Sequence, residues 1–187
     1  MEMPSVPQRI NAFRRFLAGR NDSGPLMGFF FESYNEVRFK EIGINVDWRQ
    51  DNHAKSTRNT VRGLHFQRGE GQAKLVRCSR GCVWDVAVDI RPDSPTVGKW
   101  YGVELSGDNK KMFLIPVGFA HGYAVLTDEA ETLYKCSNVY HPQLEDTILW
   151  NDPDLAIEWP VADPILSKRD QEAQTFKQYL QSLRSGT

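Results

Sequence analysis

The chain has 187 residues, 40% hydrophobic and 25% charged, and 23 Lys+Arg against 24 Asp+Glu leave a formal net charge of −1. That length and balance fit one globular domain with its own core. They exclude general disorder, and they argue against a nucleic-acid or membrane-surface binder, which would carry a basic excess. The longest mostly apolar stretch, Phe113 to Ala120, contains Pro116 and is far too short to cross a bilayer. Arg9, Arg14, Arg15 and Arg20 stand where a secretory leader would be apolar. Three cysteines cannot all pair, and Cys78-x3-Cys82 lacks the second ligand pair of a zinc site. A cytoplasmic location is the expectation.

In chain order, Asn35 followed by Glu36-Val37-Arg38-Phe39-Lys40-Glu41-Ile42-Gly43 reads as a short helix, capped by Asn35 and stopped by Gly43. From Val46 to Trp150 the chain carries short apolar or alternating runs between turns. They are Val61–Gln67, Lys74–Cys78, Val83–Ile90, Trp100–Leu105, Met112–Ile115, Tyr123–Leu126 and Glu131–Ser137. Strands at that spacing predict a sandwich or barrel. Ala173, Phe176, Tyr179, Leu180 and Leu183 recur at helical spacing and predict one amphipathic helix from about Ser167 to Leu183.

Alternation along a strand assigns side chains to faces. It places Arg62, Leu64 and Phe66 on one face of the first run and Gly63, His65 and Gln67 on the other. Trp84, Val86, Val88 and Ile90 form an apolar row opposite Asp85, Ala87 and Asp89, while Thr132, Tyr134 and Cys136 share a face. Polar rows of this kind suit a barrel with a polar pocket or an ordinary half-solvated sheet.

Local pattern alone leaves the chemical residues ambiguous. His65 lies mid-strand beside Gly63, which is expected to leave open space, and fits a packed structural role as well as a chemical one. His121 is expected at a turn between strands, and His53 and His141 give no usable signal. The four histidines lack tight ligand spacing, so no metal is expected. Tyr134 reads as packing, Lys74 as solvent-reaching, and Asp170 as the third helical residue of a capping box that starts at Ser167.

Several motifs together carry more. Gln50-Asp51-Asn52, Arg62-Gly63-Leu64-His65-Phe66-Gln67, Asp85-Val86-Ala87-Val88-Asp89-Ile90-Arg91, Pro116-Val117-Gly118-Phe119-Ala120-His121-Gly122 and Tyr134-Lys135 occur in that order. Trp150-Asn151-Asp152-Pro153, Ile157-Glu158-Trp159-Pro160 and Ser167-Lys168-Arg169-Asp170 follow. The series resembles the dTDP-4-dehydrorhamnose 3,5-epimerase family, from about Gly28 to Asp170. The resemblance implies an all-β, cupin-like jelly-roll barrel with short peripheral helices and a C-terminal helix. Residues 28–187 would form one domain behind an atypical N-terminal segment, 1–27.

It implies an isomerase that inverts C3 and C5 of a dTDP-linked 4-keto-6-deoxyhexose without cofactor or metal, as in dTDP-L-rhamnose synthesis. Both carbons flank a ketone, so the reaction needs a base, an acid on the other face and a stabilised enolate oxygen. By resemblance His65 is the base, Asp170 orients and charges its ring, Lys74 stands by the enolate and Tyr134 returns the proton. Asp85 is a second acidic neighbour of His65. Glu32, Gln50 and Asn52 match nucleotide-binding positions; Arg62 and Arg169 match positions near the diphosphate or sugar. His121 matches a sugar-pocket position, Glu145 a further binding position and Tyr140 an aromatic that stacks on the thymine ring. Arg169 replaces the family's usual Lys. Family members are homodimers that exchange strands and nucleotide contacts. Pro25-Leu26-Met27-Gly28 departs from the family's Asp-x-Arg-Gly, and Met27 stands where an Arg meets the diphosphate. Two further readings are a 3- or 5-mono-epimerase on a related deoxysugar and a non-catalytic sugar-nucleotide binder.

Overall fold

The computed structural model describes residues 29–184. Asn35 caps helix α1, Glu36–Glu41, by accepting the Arg38 amide, and Gly43 ends it at φ +83°. Nine strands follow among the described residues: β1 Gln50–Thr57, β2 Val61–Gln67, β3 Lys74–Arg80, β4 Cys82–Asp89, β5 Trp100–Ser106, β6 Met112–Ile115, β7 Phe119–Val125, β8 Glu129–Cys136 and β9 Glu145–Thr147. They pair antiparallel into a four-stranded sheet, β1-β8-β3-β6, and a five-stranded sheet, β5-β4-β7-β2-β9. This is the all-β, cupin-like jelly roll expected from the resemblance.

The two inner faces meet over Val76, Phe113 and Ile115 from one sheet and Val83, Ala87, Leu105 and Val125 from the other. Both outer faces are partly covered. Phe39 and Ile44, from the chain before β1, cover Leu75, Met112 and Leu114. The C-terminal segment lays Leu155, Ile157, Phe176 and Tyr179 on Leu64, Phe66, Val86 and Val88. Each fully buried side chain of this size contributes about 1.5–3 kcal/mol, so both coverings hold the barrel rather than decorate it.

Two elements differ from expectation. Strand β1 was not predicted, because Gln-Asp-Asn-His-Ala-Lys-Ser-Thr has no apolar row. It is held by its antiparallel ladder to β8, with polar pairs across it: Asp51 with Lys135, which are register partners, His53 with Glu131 and Lys55 with Glu129. The single C-terminal helix is in fact two, α2 at Lys168–Gln171 and α3 at Phe176–Arg184. Gln174 between them is drawn into a bridge with Ile148, and its carbonyl accepts the Leu149 amide at 2.8 Å. Thr175 then starts α3 with a reciprocal capping box: Gln178 N–H donates to Thr175 Oγ1 at 3.2 Å and Thr175 N–H to Gln178 Oε1 at 2.8 Å. No helix among the described residues is long and apolar enough to cross a membrane.

Candidate active site

The site begins with an irregularity in β2. Arg62 pairs with Tyr123 of β7 and His65 with His121, so three steps on β2 match two on β7. The extra residue is a bulge. Gly63 takes φ +134° there, and a Cβ on it would lie 2.5 Å from the Gly122 Cα, so two glycines are pressed together. The space beside Gly63 is therefore filled by backbone, contrary to expectation. The bulge also overturns the simple alternation: Arg62 shares the inner face with His65, and its Nε donates to Ser56 Oγ of β1 at 3.0 Å across the barrel. Leu64 and Phe66 share a face, as expected, and that face is the outer one.

Position 121 is likewise corrected. His121 lies within β7 rather than at a turn, opposite His65. The buried Asp85 pairs with His121 Nε2 at 2.9 Å, so Asp85 is the partner of His121 and not of His65. The carboxylate paired with His65 is Asp170: Nε2 to Oδ1 is 2.5 Å, and Asp170 is only 1% exposed. The capping reading of Asp170 holds alongside its pairing with His65. Its amide donates to Ser167 Oγ at 3.2 Å, and the Ser167 hydroxyl donates to Asp170 Oδ2 at 2.8 Å.

The opposite wall is the inner face of the four-stranded sheet. Its register sets Gln50, Cys136 and Lys74 in one row and Asn52, Tyr134 and Val76 in the next. Asn52 Nδ2 donates to Cys136 Sγ at 3.4 Å and Gln50 Nε2 to Asn52 Oδ1 at 2.9 Å. Cys136 was not predicted as a site residue, although its row with Tyr134 was. Thr147 of β9 was also missed; it is the register partner of His65, and its Oγ1 is buried without a hydrogen bond among the described residues.

Burial is the largest single influence on the ionisable groups here. It lowers the Lys74 ammonium below the usual lysine value, against the pull of Cys136, Glu145 and Asp85. It pushes the Tyr134 phenol up to about 12, so the proton stays on the oxygen at neutral pH. Burial also lowers His65, although Asp170 works to raise it and Arg169 and Lys74 add to the lowering. Burial would raise Asp170, but the hydrogen bond and charge of His65, with the Ser167 hydroxyl, outweigh it and hold the carboxyl low. The result is a His65–Asp170 pair facing a protonated phenol across the barrel, with the Lys74 side chain beside it. Among the described residues no group of three or more His, Cys, Asp or Glu is placed to hold a metal ion.

The model of the dTDP-4-dehydrorhamnose 3,5-epimerase family matches residues 20–178. The chain belongs to that family. The match takes in residues 20–27, the end of the segment set apart on sequence. The chain is similar to the dTDP-4-dehydrorhamnose 3,5-epimerase of Salmonella typhimurium, 56% identical over 160 residues, 84% of this chain and 87% of that protein. It is 53% identical over 156 residues to the Escherichia coli protein of the same name, covering 82% and 84% of the two chains. Among solved structures, the dTDP-6-deoxy-D-glucose-3,5-epimerase of Legionella pneumophila in complex with dTDP-4-keto-L-rhamnose superposes with a TM-score of 0.80. It is 47% identical, with 82% of this chain and 83% of that one covered.

Within this epimerase-family barrel the remaining expected residues divide into two groups. Tyr140, Glu145 and Arg169 gather at the rim: Tyr140 donates its hydroxyl to Glu145 Oε2 at 2.6 Å, and Arg169 Nη1 donates to the same oxygen at 2.5 Å. The Tyr140 amide donates to Gln50 Oε1 at 2.7 Å, which ties the rim to β1. Glu32 is not brought to this cluster. It pairs with Arg38 of α1 at 3.2 Å, in the layer outside the four-stranded sheet. Met27 and the atypical segment 1–27 lie outside the described residues.

Proposed function

We propose that this protein is a dTDP-4-dehydrorhamnose 3,5-epimerase, inverting C3 and C5 of a dTDP-linked 4-keto-6-deoxyhexose by proton transfer alone. The observation that carries the reading is the buried His65–Asp170 pair on one wall of the barrel, with Tyr134 and Lys74 on the other. A sugar ring lying between the walls offers one face to the base and the other to the acid.

With Nε2–H donated to Asp170, the Nδ1 lone pair of His65 takes the proton from C3 or C5, and Asp170 stabilises the imidazolium that forms. Lys74 offers N–H donors to the developing enolate oxygen, in a setting where burial strengthens each electrostatic contact. Tyr134 then delivers its proton to the opposite face of the carbon, which makes the outcome inversion rather than exchange in place. Arg62 and Arg169 bind the diphosphate, His121 the sugar, and Gln50, Asn52, Tyr140 and Glu145 the nucleotide end. Glu32 sits too far out to join them within one protomer. A homodimer in which it reaches the partner's nucleotide accounts for its place, and a single species of twice the monomer mass in solution is expected.

Incubation with the dTDP-4-keto-6-deoxyglucose substrate in deuterated water tests the reading. Deuterium at both C3 and C5 with inversion supports it. Label at one carbon only makes the protein a mono-epimerase, and no label makes it a binder.

A further inference from the structure

Two neighbouring residues of α2 bear on the same atom. Asp170 Oδ1 is 2.5 Å from His65 Nε2, and Arg169 Nη2 is 2.9 Å from it. Consecutive helical residues do not share a face, so the base is gripped from two sides by opposite charges. The two grips are unequal. Asp170 is buried and doubly fixed by Ser167, whereas the Arg169 side chain is 48% exposed.

A ring nitrogen that donates to a carboxylate has no lone pair left for a guanidinium. Arg169 therefore gains nothing from the nitrogen it approaches. Glu145 holds it there, accepting from Nη1 at 2.5 Å while also accepting the Tyr140 hydroxyl. A guanidinium so placed opposes the positive charge that His65 must acquire to act as a base, and so cancels part of what Asp170 supplies. The other charged or titratable groups around the ring are Lys74 from β3, which acts in the same sense as Arg169, and His121 from β7, which is engaged with Asp85.

A diphosphate is a stronger competitor for a guanidinium than one carboxylate, because it carries more charge and accepts two parallel N–H bonds. We propose that Arg169 is a diphosphate-sensing brake on His65: clamped by Glu145 it weakens the base, and a bound diphosphate draws it off, so that only sugars carrying a diphosphate meet a fully active base. This makes Arg169 a specificity-determining residue as well as a ligand contact. The inference rests on the epimerase reading.

The test titrates the His65 imidazole by NMR in wild type and Arg169→Ala, each with and without dTDP. Arg169→Ala is expected to raise the titration midpoint in the free protein. Saturating dTDP is expected to raise it in wild type and to raise it clearly less in the variant. An unchanged or lowered midpoint in free Arg169→Ala, or equal dTDP-induced rises, overturns the proposal.

A second arm follows deuterium entry into a 4-keto-6-deoxyhexose lacking its nucleotide. Arg169→Ala is expected to exchange it faster than wild type, by about tenfold, while showing a higher KM for the full dTDP-sugar. A purely binding or structural role leaves the fragment no faster, and that result sinks the brake. Turnover of the full substrate by wild type is the separate control: if it succeeds while both arms fail, the brake alone falls, and if it fails, the epimerase reading falls.

Discussion

His65 and His121 stand directly opposite each other on β2 and β7, and each ring is held by its own buried aspartate. Asp85 reaches His121 from the neighbouring strand β4, inside the sheet, whereas Asp170 reaches His65 from the C-terminal segment. The side chains are 8% and 20% exposed respectively. The His121 pair is the more deeply buried of the two, and the His65 ring is the more accessible to a bound molecule.

His65→Ala is therefore expected to abolish hydrogen exchange at both C3 and C5, since one base serves both. Loss of a general base costs on the order of 10²–10⁴-fold. Deuterium incorporation followed by NMR measures it, and appreciable residual exchange at either carbon would contradict the single-base scheme.

The acid limb of the pH–rate profile follows from burial of His65. Burial lowers its pKa below 6.5, so the neutral base persists as the pH falls through that value and is lost only further down. Asp170→Asn removes the carboxylate that favours the imidazolium. The acid limb of kcat/KM is expected to move to lower pH while the plateau rate drops. A limb that moves upward would mean that Asp170 does not charge-stabilise His65.

Tyr134→Phe keeps the ring and removes the proton. The phenol is held protonated, with its pKa pushed to about 12 by burial, so in the variant inversion should fall more than abstraction. Solvent label then enters without net epimerisation. Equal losses of label entry and inversion assign Tyr134 a positioning role instead.

Gly63→Ala tests the bulge. The new methyl would meet the Gly122 Cα at 2.5 Å on a backbone at φ +134°, so something must shift. A stability loss of roughly 1–3 kcal/mol or more is expected from strain of this kind, together with loss of activity as His65 is displaced. Gly43→Ala is the control: it also has positive φ, but its Cβ would meet nothing within 4 Å. Thermal unfolding of the two variants should show the larger decrease at Gly63.

Met27→Arg adds the charge that the family resemblance implies at the diphosphate. A hydrogen bond from a charged donor contributes roughly 1.5–3 kcal/mol, so dTDP is expected to bind more tightly while turnover at saturating substrate stays nearly constant. Titration of dTDP into wild type, Met27→Arg and Arg20→Ala decides. If Met27→Arg has no effect and Arg20→Ala weakens binding, the missing charge is supplied from upstream.

What could be read from the sequence was whatever advertises itself locally. β2 and β6 begin and end where alternation placed them, and Asn35 caps α1 as its type demands. The faces of β4 and β8 also follow alternation, because those strands run without a bulge through the rows that matter. Arg62 was misplaced because its side depends on one extra residue in β2, which is specified by the approach of Gly122 from another strand. β1 was missed because it has no apolar row and its polar partners lie on β8, 78 or more residues away for His53–Glu131 and Lys135–Asp51. The break before α3 was legible after all: Thr175 and Gln178 are three apart, the spacing of a second capping box, and the apolar periodicity masked it. Of the site, the motif series supplied the residue types, but no local signal separates the partner of His65 from that of His121.

The bond between His65 and Asp170 joins positions 105 apart in the chain. The pair is thus unfinished until the last segment has crossed the five-stranded sheet and delivered α2, a four-residue helix anchored on one side by Ser167 and on the other by the Gln174 bridge. Phe176 and Tyr179, which cover Leu64 and Phe66, follow Asp170 in the same segment, so sealing this outer face and completing the His65–Asp170 pair depend on one stretch of chain. A chain clipped before Asp170 is expected to lose stability and proton transfer together.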